Sequence, residues 1–170
     1  MGETKKFELT SEFIINESGT KLFRIKALKS FAEVEEGDLG GYVEKEENLD
    51  QCGNAWVSGN ARVSGNAEVS GNALVICNAR VSGNALVIGN ALVSGNADYT
   101  TIRGFGTCFR NTTFFRCKDG CVRVVCGCFY GTIDEFREQV KRTREGKIAK
   151  EYLMIADLME YHFEHDPREE

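Results

Sequence analysis

A run of eight six-residue repeats, from Asn54 to Thr101, constrains the fold of this chain more than any other feature. The run reads NAWVSG NARVSG NAEVSG NALVIC NARVSG NALVIG NALVSG NADYTT, with no insertion between repeats. Self-similarity at one fixed period predicts that neighbouring repeats stack, because a single repeat cannot bury its apolar side alone.

Each repeat combines a short apolar stretch with a turn. Six residues are too few for a pair of helices, so each repeat must be a short strand followed by a corner. Residues two apart on a strand point to the same side, so Ala61 and Val63 line an interior while Arg62 and Ser64 face outward. Gly-Asn, or a near relative, supplies the corner, because both residues tolerate positive φ.

An aliphatic residue followed four places later by a small one, as in Val57 and Ala61, resembles the hexapeptide-repeat family. The resemblance implies a left-handed parallel β-helix, with roughly three repeats and about 18 residues in each triangular coil. Asn48-Leu49 and Tyr42-Val43 extend the phase backwards. We therefore expect the β-helix solenoid to occupy residues 42–102.

One outward face of the expected coil is apolar. If residues 18 apart share a face, a stripe forms that is unusual in water, and we expect it to be a subunit interface. Its members are Trp56, Leu74, Ile76 and Leu92. Proteins of the resembled family are commonly trimers, which implies a homotrimer closed by cyclic symmetry. The alternative is that residues 103–170 fold back over this face within one chain.

Composition and charge exclude some classes of function. The 170 residues are 42% hydrophobic and 28% charged, which suits a soluble chain of one or two domains. The formal net charge of −5 argues against general nucleic-acid binding. The sequence has neither an apolar run that could span a membrane nor the apolar segment of a signal peptide. We expect a cytoplasmic protein whose seven cysteines are reduced.

Residues 1–41 are not periodic. Segments 7–15 and 21–28 have strand character around a turn at 16–19, which predicts a β-hairpin. With the acidic, glycine-rich stretch that follows, this hairpin is expected to cap the first coil. That stretch is interpreted as a solvated turn, with an acidic metal site as the alternative.

Two strands are predicted after the repeats. Segments 109–117 and 121–130 are joined at Lys118-Asp119-Gly120, and Asp-Gly is a strong hairpin signal.

Two helices are predicted to follow. Thr132 and Glu135 form a capping box that starts a helix over 133–143, and a second helix is expected over 148–163 after a break at Gly146. Residues 103–170 are therefore expected to form a ββαα domain of the α+β class, beyond the solenoid.

Both flanks resemble those of hexapeptide-repeat proteins from bacteriophage and prophage genomes. The shared motifs are LFRIKAL (22–28), GDLGGYVEKEENL (37–49) and VVCGCFYGTIDEF (124–136). These phage proteins are often described as transferases, yet the resemblance implies no established activity.

The positions of the histidines argue against the enzymes of the resembled family. Its acyltransferases use a coil histidine as general base, and its carbonic anhydrases hold zinc with three histidines. In this chain the only histidines are His162 and His165, both outside the repeats. We therefore expect a protein that is not an enzyme.

The cysteines after the repeats admit three interpretations. Cys117, Cys121, Cys126 and Cys128 fall within twelve residues but form no Cys-x-x-Cys pair. Cys126 and Cys128 alternate in phase with neighbouring valines, which favours a core position. A zinc site and a redox or disulfide role are the alternatives; no metal and no cofactor are predicted.

One group of residues after the repeats has the composition of an anion site, because guanidinium groups match phosphate geometry. The group consists of Arg103, Phe105, Arg110, Thr112, Arg116 and Arg123. A solvated strand face is the alternative.

The combined expectation is a non-enzymatic, oligomeric binding protein. The phage resemblance implies interference with a host process such as host defence, either by sequestering a nucleotide or other phosphorylated ligand or by docking on a host protein. A degenerate acyltransferase-like enzyme and a purely structural trimeric module remain as alternatives.

Overall fold

The computed structural model describes residues 4–165, which form two compact units that divide between Asn96 and Ala97. The first unit begins with β1 (Phe7–Ile15), β2 (Lys21–Ala27) and β3 (Leu39–Val43), followed by a 3₁₀ helix at Glu46–Asn48. Seven two-residue strands then recur every six residues: β4 (Trp56–Val57), β5 (Arg62–Val63), β6 (Glu68–Val69), β7 (Leu74–Val75), β8 (Arg80–Val81), β9 (Leu86–Val87) and β10 (Leu92–Val93).

The short strands stack as the sequence period predicts. The first four, β4 to β7, each pair in parallel with the strand 18 residues further on, so that Trp56 lies beside Leu74, Arg62 beside Arg80 and Glu68 beside Leu86. Three sheets result, containing β4–β7–β10, β5–β8 and β6–β9. The prediction of one coil per three repeats is confirmed.

Backbone hydrogen bonds connect successive coils through the alanine carbonyls. The N–H of Trp56 donates to Ala73 O at 3.0 Å, and the N–H groups of Arg62 and Glu68 donate to the alanine carbonyls above them at 2.9 Å. The interior is built from the alanine and valine of each repeat, all 0–1% exposed: Ala55, Ala61, Ala67, Ala73, Ala79, Ala85, Ala91, Val57, Val63, Val69, Val75, Val81, Val87 and Val93.

The corners repeat the same geometry. Gly53, Gly65 and Gly71 have φ between 65° and 70°, in the left-handed region where a side chain is strained. Asparagine side chains 18 residues apart form a ladder, in which Asn54 Nδ2 donates to Asn72 Oδ1 at 3.1 Å. Cys77 occupies a glycine corner at φ 59°.

Three different groups supply donors to the first coil, which has no repeat below it. Tyr42 N–H of β3 donates to Ala61 O at 2.9 Å. Asn48 Nδ2 donates to Ala67 O at 2.8 Å. Lys6 Nζ donates to Ala55 O at 2.8 Å. The alanine carbonyls of all three faces are therefore hydrogen-bonded.

Lys6 is fully buried at this position. Its ammonium also donates to Cys52 O at 3.2 Å and lies 5.2 Å from the centroid of the Phe31 ring. Burial lowers the pKa of Lys6 from 10.5 to about 8, because the charged form loses its hydration.

The β1–β2 pair is an antiparallel hairpin with a register shift between Leu9 and Phe13. Its turn is closed by Asn16 Oδ1, which accepts hydrogen bonds from Ser18 N and Thr20 N. The handedness of the coil and the role of this hairpin as a cap remain predictions.

The eighth repeat leaves the pattern of the other seven. Residues Asn96–Asp98 form a 3₁₀ helix, and the chain continues as β11 (Tyr99–Phe105), an antiparallel partner of β12 (Arg110–Arg116). Tyr99 replaces the small interior valine, and Ala97 is only half-buried. The expected solenoid end at 102 therefore falls within an antiparallel strand.

The second unit is an antiparallel sheet with two helices. β13 (Val122–Cys126) and β14 (Phe129–Thr132) complete the order β11–β12–β13–β14, and α1 (Ile133–Thr143) and α2 (Gly146–Glu164) follow. Their core combines the sheet residues Phe114 and Val124 with helix residues including Phe136, Ile155 and Met159.

Two contacts position α1. Thr132 Oγ1 accepts from Glu135 N at 3.2 Å, and Glu135 Oε2 accepts from Thr132 N at 2.8 Å, which confirms the predicted capping box. Arg137 connects the helices, because its Nη2 lies 2.9 Å from Asp157 Oδ1 and 2.6 Å from Glu160 Oε2.

Three details of this unit differ from the predicted ββαα order. The first is an additional strand, because β11 pairs with β12 and lies at the edge of the sheet. The expected single strand 121–130 is split into β13 and β14, because Gly127 adopts φ 62° and turns the chain. Gly146, expected only to break the helix, is the first residue of α2, at φ 57°.

Two alanine substitutions should separate backbone strain from steric collision at the corners. Both Gly53 and Gly83 have left-handed φ, but a Cβ at Gly53 would lie 2.7 Å from Gly71 O, whereas a Cβ at Gly83 would meet nothing within 4 Å. Gly83→Ala should lower the free energy of unfolding by about 1 kcal/mol, and Gly53→Ala by roughly 2–3 kcal/mol. Urea unfolding followed by the fluorescence of the only tryptophan, Trp56, measures both. Equal losses of unfolding free energy in the two variants would contradict a steric collision at Gly53.

Stability of the first unit should depend on pH through Lys6. The folded pKa of about 8 lies below the unfolded value of 10.5, so the unfolded state binds more protons between these values. Stability therefore rises with pH through this window, by roughly 3 kcal/mol in total. The difference in unfolding free energy between the native chain and Lys6→Met isolates this contribution. A difference that stays constant from pH 7 to pH 10.5 would contradict the depressed pKa.

Candidate functional site

A cavity of about 100 Å³ lies in the second unit, at one end of its sheet. It is enclosed by the loop between β11 and β12, the turn between β13 and β14, the last turn of α1 and Tyr152 of α2. The side chains able to act chemically there are Cys108, Arg110, Cys126, Cys128, Arg144 and Tyr152.

Glycines allow the two turns to approach the cavity. Gly106, at φ 74°, passes so close to α2 that a Cβ would lie 2.5 Å from Tyr152 Oη. Tyr152 Oη donates to Phe105 O at 3.2 Å, which fastens the loop to α2. On the opposite side, a Cβ at Gly127 would collide with Nη1 of Arg110. Larger residues at either glycine would displace these side chains.

The cavity is positively charged. Arg110 and Arg144 line it, and among the described residues that line it none is aspartate or glutamate. The chain as a whole carries a formal net charge of −5, so this local excess of positive charge runs against the average. Such a site favours anions, because guanidinium groups donate paired hydrogen bonds to carboxylate or phosphate oxygens.

The thiol of Cys108 is exposed and lies beside this charge. Its Sγ is 3.7 Å from Thr107 Oγ1 and 4.0 Å from Arg110 Nη2. Hydrogen bonds from Thr107 and Arg110, with the charges of Arg110 and Arg144, lower the pKa of the Cys108 thiol. All of these contacts favour the thiolate.

Cys126 and Tyr152 form the inner wall. Thr112 Oγ1 donates to Cys126 Sγ at 3.2 Å, and Cys126 is half-buried. Burial raises the pKa of Tyr152, and the neighbouring Cys126 adds to the rise, so the phenol remains protonated.

The structure divides the six residues of the predicted anion site. Arg110 lines the cavity. Phe105 contributes its carbonyl to Tyr152, and Thr112 is 2% exposed behind Cys126. Arg103 is exposed and does not line the cavity. Arg116 and Arg123 lie elsewhere.

Arg116 and Arg123 each have other partners. Arg116 Nε lies 3.4 Å from Asp98 Oδ1, and its Nη2 donates to Phe163 O at 2.6 Å. Arg123 pairs across the sheet with Phe115, which places it on the face opposite Arg116, and its Nη2 lies 2.7 Å from Asp119 Oδ2. The six residues therefore do not form one site.

The cysteines also differ from the core interpretation. Cys117 is buried, at 5% exposed, but Cys121 and Cys128 are exposed and Cys126 is half-buried. Cys128 leaves the apolar face because the turn at Gly127 interrupts the strand. Within residues 4–165, no three His, Cys, Asp or Glu side chains are arranged to hold a metal ion.

One residue of the predicted oligomer face, Trp56, is covered by other residues of the first unit. Trp56 is 4% exposed, because Phe31 and Phe7 pack edge-on against its ring at centroid distances of 5.4 and 6.5 Å. Its side chain is therefore inside the chain and not on an outer face. Leu74, Ile76 and Leu92 are half-buried and keep part of their surface accessible.

Sequence reasoning missed Cys108 and Arg144 as site residues. A signal for the first existed in the strand register: extending the pairing of Thr112 with Cys126 by two residues places Arg110 opposite Cys128. This register follows from the turn at Lys118-Asp119-Gly120, and it brings the segment of Cys108 and Arg110 close to Cys128. Arg144 lines the cavity because α1 packs against the sheet and ends there. The sequence does not specify how this helix packs.

The fold and site define a β-solenoid protein with an antiparallel α+β unit after the repeats. A family model described as YdcK beta solenoid repeat matches residues 55–70 and 79–95 of this chain. No curated protein matches the sequence. Within residues 4–165, no helix is both long and apolar enough to cross a bilayer.

Proposed function

We propose that this protein is a non-enzymatic binding protein whose cavity at Arg110 and Arg144 takes a small anionic group. The observation that carries the proposal is that two arginines line one cavity, with no carboxylate among its described lining residues. A volume of about 100 Å³ admits a phosphate or carboxylate group rather than a whole nucleotide. A larger phosphorylated ligand would therefore bind by its phosphate end, with the remainder outside.

The walls suit recognition of such a group. Gly106 and Gly127 let the backbone approach closely, and hydroxyl groups are added by Thr107 on the exposed side and by Tyr152 in the inner wall. Buried Phe136 and Val140 line the inner side, and an apolar wall strengthens the attraction between guanidinium and anion because it lowers the local dielectric constant.

The handedness of the coil, the cap, the biological role and the oligomeric state are also part of the proposal. The resemblance to hexapeptide-repeat proteins supports a left-handed coil capped by the β1–β2 hairpin, and the phage-like flanks support interference with a host process as the biological role. Half-buried Leu74, Ile76 and Leu92 support a homotrimer that associates through this face. Docking on a host protein is the alternative way in which the same assembly would act.

Titration with inorganic phosphate tests the cavity. Amide NMR signals of residues 106–110 and 144 should shift in the native chain, with chloride at equal ionic strength as the reference. Arg110→Gln and Arg144→Gln should each weaken binding roughly tenfold, because each removes a charge-assisted hydrogen bond. Arg103→Gln is the matched control, since Arg103 is exposed and outside the cavity. An equal loss in all three variants, or no shift in the native chain, would overturn the proposal.

Native mass spectrometry tests the assembly. The native chain should appear as a trimer, and Leu74→Glu combined with Leu92→Glu should give monomers, because two carboxylates would be buried on each subunit. Trp56→Phe is the control and should leave the trimer intact, since that ring is covered within its own chain. A trimer that survives the double substitution would place the interface elsewhere.

A further inference from the structure

Cys108 differs from Cys117, Cys121 and Cys126 in its surroundings. Cys117 is buried and burial raises its pKa, and Cys126 accepts a hydrogen bond from Thr112 at 3.2 Å. Cys121 is exposed next to Arg123, but Asp119 lies 2.7 Å from that guanidinium and offsets its charge. Cys108 is exposed beside an arginine of the cavity and has no such carboxylate in its described surroundings.

The surroundings of Cys108 combine three features of reactive thiols. The sulfur is accessible, it is hydrogen-bonded to Thr107 Oγ1 and Arg110 Nη2, and two arginines line the cavity beside it. The nucleophile in thiol chemistry is the thiolate, and neighbouring positive charge stabilises it. Hydrogen bonds and charge lower the pKa of Cys108, in agreement with this geometry.

The loop that carries Cys108 holds it in place. Phe109, the next residue, adopts φ 50°, a left-handed conformation that is uncommon for an aromatic residue, and its side chain is 65% exposed. Gly106 and the Tyr152 hydrogen bond fix the other end of the loop on α2. The thiol is thus presented at the cavity mouth by a constrained segment.

We propose that Cys108 is a modification site that forms a mixed disulfide with small disulfides that carry carboxylate groups. The inference deepens the proposed function and rests on it, because Arg110 and Arg144 are the groups that would hold the carboxylates. The size of the cavity suits one carboxylate arm, with the disulfide bond at the mouth beside Sγ.

The exchange balances without any further reactant. The Cys108 thiolate attacks one sulfur of the disulfide R–S–S–R, the S–S bond breaks, and a Cys108–S–S–R bond forms. The departing R–S⁻ takes a proton from water. The protein thiol is oxidised to the mixed disulfide, and one half of the small disulfide is reduced to the thiol.

Two probes of opposite charge test the inference on the full chain. Glutathione disulfide carries carboxylates, whereas cystamine carries only amines. Peptide mapping by mass spectrometry gives the rate of adduct formation at each cysteine. Cys108 should be modified first by glutathione disulfide, at least roughly tenfold faster than Cys121, and this preference should shrink with cystamine. Equal ratios for both probes, or a Cys121 that reacts as fast, would overturn the inference.

Variants separate the contributions of charge and hydrogen bonding. Arg144→Gln should slow the reaction of Cys108 with glutathione disulfide several-fold more than the reaction with cystamine, because both reactions lose thiolate but only the anionic probe also loses its attraction to the guanidinium. Thr107→Val should move the midpoint of the pH–rate profile of Cys108 upward, because a donor to the thiolate is lost. A profile that does not move would show that the Thr107 contact has no part in activating the thiol and would count against the site.

Phosphate titration of Cys108→Ser distinguishes the two levels of the proposal. This variant keeps both arginines, so phosphate binding that persists while native Cys108 shows no preference for the anionic probe refutes the thiol inference alone. If neither the native chain nor the variant binds phosphate, the binding function is refuted, whatever the reactivity of the thiol.

Discussion

The hydrogen bond from one coil to the alanine carbonyl of the next is the interaction on which the first unit depends. An unpaired carbonyl in a dry interior costs about 1–3 kcal/mol, so every coil requires a neighbour or a substitute. The repeats satisfy one another, and the first coil is completed by Lys6, Tyr42 and Asn48. The chain accepts a buried ammonium with a depressed pKa at Lys6, because Ala55 O would otherwise lack this donor.

The period of six made the solenoid predictable because its information is local and repeated. Ala and Val alternate with outward residues, and three repeats close a coil, so register, interior and faces follow together. The prediction failed where residues distant in sequence decide the outcome. Trp56 occupies an outward position of its repeat, yet Phe7 and Phe31 from outside the repeats cover it.

The site was predictable only in part, for the same physical reason. The composition of β12 indicated an anion site, and Arg110 does line the cavity. Arg116 is instead held by Asp98 and the carbonyl of Phe163, contacts made across the fold that no spacing reveals. Arg144, the residue after α1, lines the same cavity; its N–H donates to Val140 O, and Arg137 bridges α1 to α2. The charge pattern therefore led to one residue that lines the cavity, and packing determined the others.

The eighteen-residue coil has a consequence for how such a chain changes in length. Adding or deleting a single repeat would rotate every later residue by one face, so the asparagine ladder would join different corners and Leu92 would leave the side it shares with Leu74. Adding or deleting three repeats leaves each side chain on its own face. Viable lengths of this solenoid should therefore differ by whole coils, that is, by multiples of three repeats.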